Sequence, residues 1–450
     1  MLFLAQRGSI TDVSDAWPTF QQVLDAMLLR AGHNTTVVII GTTLLGIAAG
    51  IVGVFGLLRK RALMADALAH ATLPGIGLAF IAATVLGFEG RSLPVLLLGG
   101  AITGVMGVGC IQLLLRHTRL KEDAAIGIVL SVFFGTGIVI LSYIQSMHSG
   151  NQGGLKSFIY GQTAAMSAGD AMLMGGIALA AVVVTFLLFK EFALVGFNDA
   201  FAKVGGWPVT FIDLMMMALV VAVTVAGLQA VGLILVVAML IIPPVAARFW
   251  TERLRTLVIL AAVIGGLSGY FGSIVSALLP RKPAGSVIVL TSGVLFVVSM
   301  FVAPARGVLA MSFRRARLRL RIAGEHVLEE AFERESGVLE HGTLRRLAKM
   351  RGWTVLFRGV VLCGLRMDRR IVKTPQGVAL TDAGREDGAR VSRNHKLWEQ
   401  YLISYAAIAP SHVDWSVDQV EHVLSDELVR ELVQALRDRG VAVPEGGRAA

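Results

Sequence analysis

Apolar runs of about 20 residues recur along the first two thirds of the chain, from Val37 to Val302, and then cease. A bilayer's hydrocarbon core is about 30 Å thick, so a helix needs roughly 20 apolar residues to cross it. Runs at roughly 36–58, 63–87, 93–115, 124–145, 169–189, 209–228, 231–249, 256–279 and 285–304 meet that length. The sixth and seventh are nearly continuous, joined by a turn near Gln229, so about eight or nine transmembrane helices are predicted. Glycine is frequent inside the runs, as at Gly41, Gly46, Gly50, Gly53 and Gly56. Small residues at such spacing let helices approach closely in lipid, where packing replaces the hydrophobic effect. The expected fold class is an all-α polytopic membrane bundle followed by a small winged-helix-like cytoplasmic domain.

The second part of that expectation comes from the pattern after Arg314, where charged residues return to soluble-protein frequency. Glu325–Ser336, Leu344–Met350 and Val355–Met367 read as three helices. Arg369–Leu380 carries Pro375-Gln376-Gly377, the tip of a β-ribbon. Thr381–Tyr405 reads as a long helix and Ser416–Leu436 as one or two more. The order helix, helix, helix, ribbon is that of a winged helix. The chain therefore divides into an N-terminal periplasmic or interfacial segment (1–34), a membrane domain (35–305), a basic linker (306–323), a winged-helix-like domain (324–440) and a flexible tail (441–450). Within the first segment, Trp17–Leu29 reads as an interfacial helix.

Composition agrees: the chain is 55% hydrophobic and only 16% charged. Its net charge of +10 would suit nucleic acid, but much of it sits in short loops and in Arg314–Arg321, where cytoplasmic membrane flanks collect Arg and Lys. The basic loops at Arg59–Arg61, Arg116–Lys121, Lys190 with Lys203, and Arg248–Arg255 alternate with poorer ones at 88–92 and 146–168. That alternation puts the N-terminus outside and the C-terminus inside an inner (plasma) membrane; Arg281-Lys282 departs from it mildly. The N-terminal segment, with Asp12, Asp15 and Asp25 against Arg7 and Arg30, is acidic enough to be translocated. Met1–Leu4 is too short for a signal-peptide core. Cys110 and Cys363 fall in different regimes, so no disulfide framework is expected.

Polar residues inside apolar runs carry the chemistry. In the second run, Asp66 and His70 lie four apart, on one helical face. An ionised carboxylate near mid-bilayer costs at least ~2.5–3.5 kcal/mol, so such a residue normally faces a polar cavity or a partner. A carboxylate with an imidazole makes a transient site for Mn²⁺, Fe²⁺ or Zn²⁺. The pair reads equally as a structural contact, or as lying at the cytoplasmic interface near Arg61. Other signals are weaker. His148 reads as a solvated loop histidine, Met215–Met217 as packing or lipid-facing side chains, and Pro243-Pro244 as a kink.

The run KRALMADALAHATLPGIGLAF (60–80, with Arg59 before it, holding Asp66 and His70) resembles the signature of the metal-cation class of ABC importer permeases, which carry manganese, zinc or iron. Residues 197–249, beginning FNDAFAKVGGWP, resemble that family as well, and the likeness covers about 35–305. It implies that Asp66 and His70 belong to the ion path. It further implies that Asn198–Gly206, with Asn198, Asp199, Ala200, Phe201, Lys203, Gly205 and Gly206, docks on a cytoplasmic ATPase. No G-x-x-x-x-G-K-[ST] loop occurs, so this chain holds no ATP site and is expected not to be an enzyme itself. The implied partners are a separate ABC ATPase, a periplasmic metal-binding protein, and a second permease copy or paralogue.

Past the membrane domain, Asp418, Glu421 and His422 fall at i, i+3 and i+4 on one helix face. Mixed imidazole and carboxylate donors suit Mn²⁺ or Fe²⁺, although surface residues of an amphipathic helix give the same pattern. Residues 324–437 resemble metal-dependent repressors of the diphtheria-toxin-repressor type, through VALTDAGREDGARVSRNHKLWEQYL and VEHVLSDEL. The resemblance implies metal ligands at His395, Asp418, Glu421 and His422, with a first-helix pair at His326 and Glu329. Here Asp418 replaces a usual glutamate, and His326 replaces a usual acid. The recognition-helix stretch TVLFRGVVLCGL offers only Thr354 and Arg358 to nucleic acid, which makes DNA binding through 324–440 unlikely.

Three functions compete at this point. The leading one is a metal importer permease, Mn²⁺ first, with an attached metal-sensing domain for which the same divalent ion serves as regulator. The others are a membrane-anchored metal-responsive transcription regulator and a stand-alone secondary carrier.

Overall fold

The computed structural model describes residues 19–59, 62–86, 93–146, 166–279, 283–334, 336–405 and 426–438. It divides into two compact units, Met1–Ala310 and Met311–Ala450. Several expectations fall outside the described residues: the acidic segment before Thr19, His148, Arg281-Lys282, Asp418, Glu421, His422, residues 416–425 and the 441–450 tail.

The first unit opens with a short helix, α1 (Phe20–Met27), set by a Thr19–Gln22 capping box. It matches the core of the interfacial helix expected at Trp17–Leu29. Then come α2 (His33–Leu58), α3 (Ala62–Ala71), α4 (Leu73–Val85), α5 (Leu93–His117), α6 (Glu122–Ser146) and α7 (Ala168–Leu187). Two short helices, α8 (Phe189–Phe197) and α9 (Asp199–Val204), lead into α10 (Val209–Val231), α11 (Leu233–Arg248), α12 (Leu254–Leu278) and α13 (Ala284–Val302). Among the described residues, eight helical stretches are long and apolar enough to span a membrane, α3 and α4 together making one of them. The apolar part of α11, Ile234–Arg248, is a shorter helix. The break before it lies at Gly232, whose φ of 82° is open to glycine and strained for other residues, rather than at Gln229. Both Pro243 and Pro244 sit inside α11.

Helix α2 is the centre of the bundle, packed against α3, α7, α8, α10, α11 and α12. Its glycines permit the closest of these approaches. A Cβ on Gly46 would collide with the backbone carbonyl of Gly265 in α12, and one on Gly50 with that of Ala261. On another face, a Cβ on Gly53 would strike the Leu240 carbonyl of α11. Polar contacts follow from the same closeness: Thr42 and Ser273 share a hydroxyl hydrogen bond of 2.8 Å, both buried. Such contacts hold helices together where lipid supplies no hydrophobic drive. Gly56, by contrast, faces open space. Met216 and Met217 are core residues of α10, so packing accounts for two of the three consecutive methionines.

The second unit contains most of α14 (Val308–Phe332), then β1 (Val338–Glu340), α15 (His341–Met350), α16 (Val355–Met367), β2 (Ile371–Thr374), β3 (Gly377–Leu380), α17 (Asp382–Tyr405) and α18 (Asp426–Asp438). The strands form an antiparallel sheet in the order β1-β3-β2, with Ile371 opposite Leu380 and Leu339 opposite Val378. Val327, Leu328, Leu339, Leu344, Val361 and Leu380 share its core. This is the winged-helix order expected from sequence, with two differences. The basic stretch read as a linker is helical from Val308, because 308–323 holds no proline and is built largely from Arg, Leu and Ala. The expected helix from Glu325 ends at Phe332, short of Ser336, and β1 follows.

Gly265→Val should destabilise the bundle by about 1–3 kcal/mol, since the added atoms meet backbone that cannot rotate away. Gly56→Ala should be neutral or slightly stabilising. Thermal unfolding of the detergent-solubilised protein, followed by tryptophan fluorescence, compares the two.

Candidate functional site

Asp66 and His70 face each other on α3, with His70 Nε2 3.5 Å from Asp66 Oδ1. The two side chains are 37% and 18% exposed, so the carboxylate opens out of this chain while the imidazole is mostly covered. His70 Nδ1 is buried and has no hydrogen-bond partner. The edge of Phe134, at 4.6 Å between ring centroids, packs against the imidazole. The pair lies one and two turns after the first described residue of α3, Ala62, near the start of the apolar span Met64–Val85, in keeping with the interface alternative left open above. Below it, Pro74 has no N–H to return to the His70 carbonyl, and Thr72 turns its hydroxyl to Ala69 O at 2.7 Å. Backbone and side-chain oxygen and nitrogen therefore gather at one stretch of α3.

The stretch from Asn198 to Gly206 is the short helix α9 with its cap and closing turn, and its Asp199 lies 4.0 Å from Arg59 at the end of α2. Asn198 caps α9 by accepting the Phe201 N–H at 3.0 Å. Lys203 pairs with Asp199 at 3.5 Å, and Gly206 closes the turn at a φ of 77°. Ala202 is fully buried, whereas Phe201 and Val204 project outward, 65% and 90% exposed. Phe197 and Trp207 extend that apolar face. Underneath, Phe55 near the end of α2 meets Phe189 and Phe192 of α8 edge-on, at 6.0 and 5.4 Å between centroids.

A buried ion pair beside this segment is absent from the sequence reading. Arg59, the C-cap of α2, donates from Nε to Asp213 Oδ1 of α10 at 3.1 Å. It also donates from Nη1 to the Val195 carbonyl at 3.2 Å, and lies 4.0 Å from Asp199. The signal for it was present: Asp213 is an acid inside an otherwise apolar run, and such residues require a partner.

In the second unit, Glu329 stands between two histidines. Its Oε1 is 3.3 Å from His395 Nδ1 and its Oε2 is 3.9 Å from His326 Nδ1. Three of the six residues singled out there therefore meet, drawn from α14 and α17; the other three lie outside the described residues. The donor set fits Mn²⁺, Fe²⁺ or Zn²⁺ chemically. Its contacts here are those of ion pairing, and among the described residues no group of three or more His, Cys, Asp or Glu is arranged to hold a metal. On α16, Thr354 uses its hydroxyl to cap the helix, accepting the Phe357 N–H at 3.2 Å. Its first two turns expose Val355, Leu356 and Val360, which offer no hydrogen bonds to base edges, and Arg366 is exposed at its far end.

The ABC 3 transport family matches residues 33–303, more than half of the chain. The chain is an ABC-3 family permease. Residues 381–446 match a second family, the iron dependent repressor, metal binding and dimerisation domain. Among relatives, the permease is 40% identical over 390 residues to the manganese transport system membrane protein MntC of Bacillus subtilis, covering 86% of this chain and 88% of that one. That alignment is longer than the permease domain, so it enters the second unit. The zinc transport system membrane protein TroC of Treponema pallidum is 40% identical over 294 residues, 65% of this chain and 97% of that one. Among solved structures, PsaBC from Streptococcus pneumoniae in complex with Fab matches 65% of this chain and 100% of that chain, with a TM-score of 0.56 and 29% identity. Permeases of this family are transport proteins, and ATP is hydrolysed by a separate subunit in such systems.

Phe55→Ala in the permease should cost about 3–5 kcal/mol, because a fully packed ring is lost. The aromatic contacts to α8 go with it. A lowered unfolding temperature of the detergent-solubilised protein measures it.

Proposed function

We propose that the chain is a permease subunit of an inward-directed ABC transporter for divalent transition-metal ions, Mn²⁺ foremost. The observation that carries this reading is the Asp66–His70 pair: a carboxylate and an imidazole with an unpartnered buried nitrogen, on the span that resembles the family signature. Two side chains from one chain are fewer than a metal ion wants. The outward-facing carboxylate of Asp66 therefore suits a path completed by a second permease subunit, with ligands sparse enough for the ion to leave again. The relatives that carry manganese or zinc in their names support the cargo class. Manganese is preferred because the MntC likeness spans most of both chains. The exposed apolar face of Phe201 and Val204 supports docking on a cytoplasmic ATPase, and a periplasmic metal-binding protein would deliver the ion. This reading sets the protein in the inner membrane with its C-terminus in the cytoplasm.

The test is ⁵⁴Mn²⁺ uptake by inside-defined proteoliposomes holding the permease, its ATPase and its binding protein. Asp66→Asn and His70→Ala should each lower uptake by about tenfold or more at low metal, each having lost one ligand. Competition by Zn²⁺ and Fe²⁺ in the same assay ranks the cargo. Uptake unchanged in both variants would remove the pair from the path.

The second unit reads as a metal-responsive regulatory module of the permease. His326, Glu329 and His395, together with Asp418, Glu421 and His422, would hold the ion, supplying a mixed nitrogen and oxygen donor set. At 3.3 and 3.9 Å from Glu329, the nitrogens of His395 and His326 are already spaced as donors sharing one ion would be, and drawing α14 and α17 around it is the available switch. With His395→Ala and His422→Ala, calorimetric titration of the full-length permease should lose the corresponding Mn²⁺ binding. Transport should then lose its dependence on Mn²⁺ inside the vesicle. A dependence that persists in both variants would reject the regulatory role.

A further inference from the structure

Arg59 is placed where three other elements converge. One guanidinium reaches Asp213 of α10, the Val195 carbonyl of α8 and the Asp199 carboxylate of α9. Its own helix, α2, ends at Leu58, and α3 begins at Ala62. Arg59 is therefore seven residues before Asp66 and lies at the junction between the bundle's central helix and the helix that bears the polar pair. The guanidinium is 14% exposed and its Asp213 partner 8%, so water screens the contact little.

We infer that Arg59 is a positioning residue that couples movement of the Asn198–Gly206 segment to the helix carrying Asp66 and His70. The inference rests on the importer reading above. Its physical basis is stiffness. A planar fork held on two sides by charge-assisted or carbonyl hydrogen bonds transmits displacement with little slack, whereas a lysine in its place is a single point charge on a flexible stem. The Phe55 contacts to Phe189 and Phe192 brace the same corner, so α8 and the end of α2 move as one body. The Asp199 arm behaves differently. It is 4.0 Å long and its carboxylate is 46% exposed and shared with Lys203, so it is the weak link that a docked partner can strengthen or release. Coupling between sites travels through contiguous elements with two arrangements. The Asn198–Gly206 segment meets Arg59 through Asp199, and Arg59 is three positions before Ala62 of α3 in sequence.

The experiment measures metal ions moved per ATP hydrolysed, in proteoliposomes containing the permease, its ATPase and its binding protein. Arg59→Gln should keep ATP hydrolysis while lowering the Mn²⁺-to-ATP ratio by roughly tenfold, with Arg59→Lys falling between it and wild type. Asp199→Asn, which removes only the exposed arm and so tolerates folding, should lower the ratio by roughly two- to threefold. It decides the matter where the Arg59 variants fail to assemble. A ratio equal to wild type in the assembled variants overturns the coupling role. So does a proportional loss of hydrolysis and transport, which marks a purely structural contact. A wild-type complex that hydrolyses ATP and moves no divalent metal overturns the importer reading instead.

Discussion

The close approach of α2 and α12, backbone against backbone at Gly46 and Gly265, is the contact on which the membrane unit depends. In lipid, two helices gain little by hiding apolar side chains, so they must gain by touching. Glycine supplies the room and Thr42 with Ser273 supplies a hydrogen bond inside it. Once α12 lies so near, the other faces of α2 are free for α7, α10 and α11, and α2 becomes the axis of the bundle. Its cytoplasm-ward end, by the topology proposed, then holds Phe55 and Arg59 in fixed places. The packing along the middle of the helix is thus what gives the chemistry at its end a rigid frame.

How much of this was legible depended on how local each signal is. A span of 20 apolar residues is a local property, so the bundle and its approximate helix ends could be read directly, as could the i, i+4 relation of Asp66 and His70. The ribbon at Pro375–Gly377 was equally local, because turn residues announce themselves. The Arg59–Asp213 pair was not, since the two residues are 154 apart in sequence and only folding brings them together. Strand β1 escaped for a different reason: three residues are too few to show a period of two. Hydropathy alone left Asp66 open between mid-bilayer and the interface, because windows blur the start of a span, and α3 is described from only one turn before it.

The second unit shows the same logic applied to a soluble fold. Its core residues follow the winged-helix order, yet the helix that would read DNA exposes Val355, Leu356 and Val360. Base edges present hydrogen-bonding groups, and these side chains offer none in return. The residues that keep a polar identity are elsewhere, at Glu329 with His326 and His395. This distribution is the reason the proposed role of the second unit is metal sensing rather than DNA readout.

That division of labour also explains why both sites use the same chemistry in different strengths. A transport path must release its ion, so a carboxylate and one imidazole from this chain, partly open to whatever adjoins it, are enough. A sensor must hold its ion long enough to bias a conformational equilibrium, which takes more donors and differential affinity for one state. In the described geometry, Glu329 lies 3.9 Å from His326 on its own helix and 3.3 Å from His395 on α17. On the proposed reading, an ion shared by these groups would tie α14 to α17, so that a change in ligation would be a change in how two helices are held.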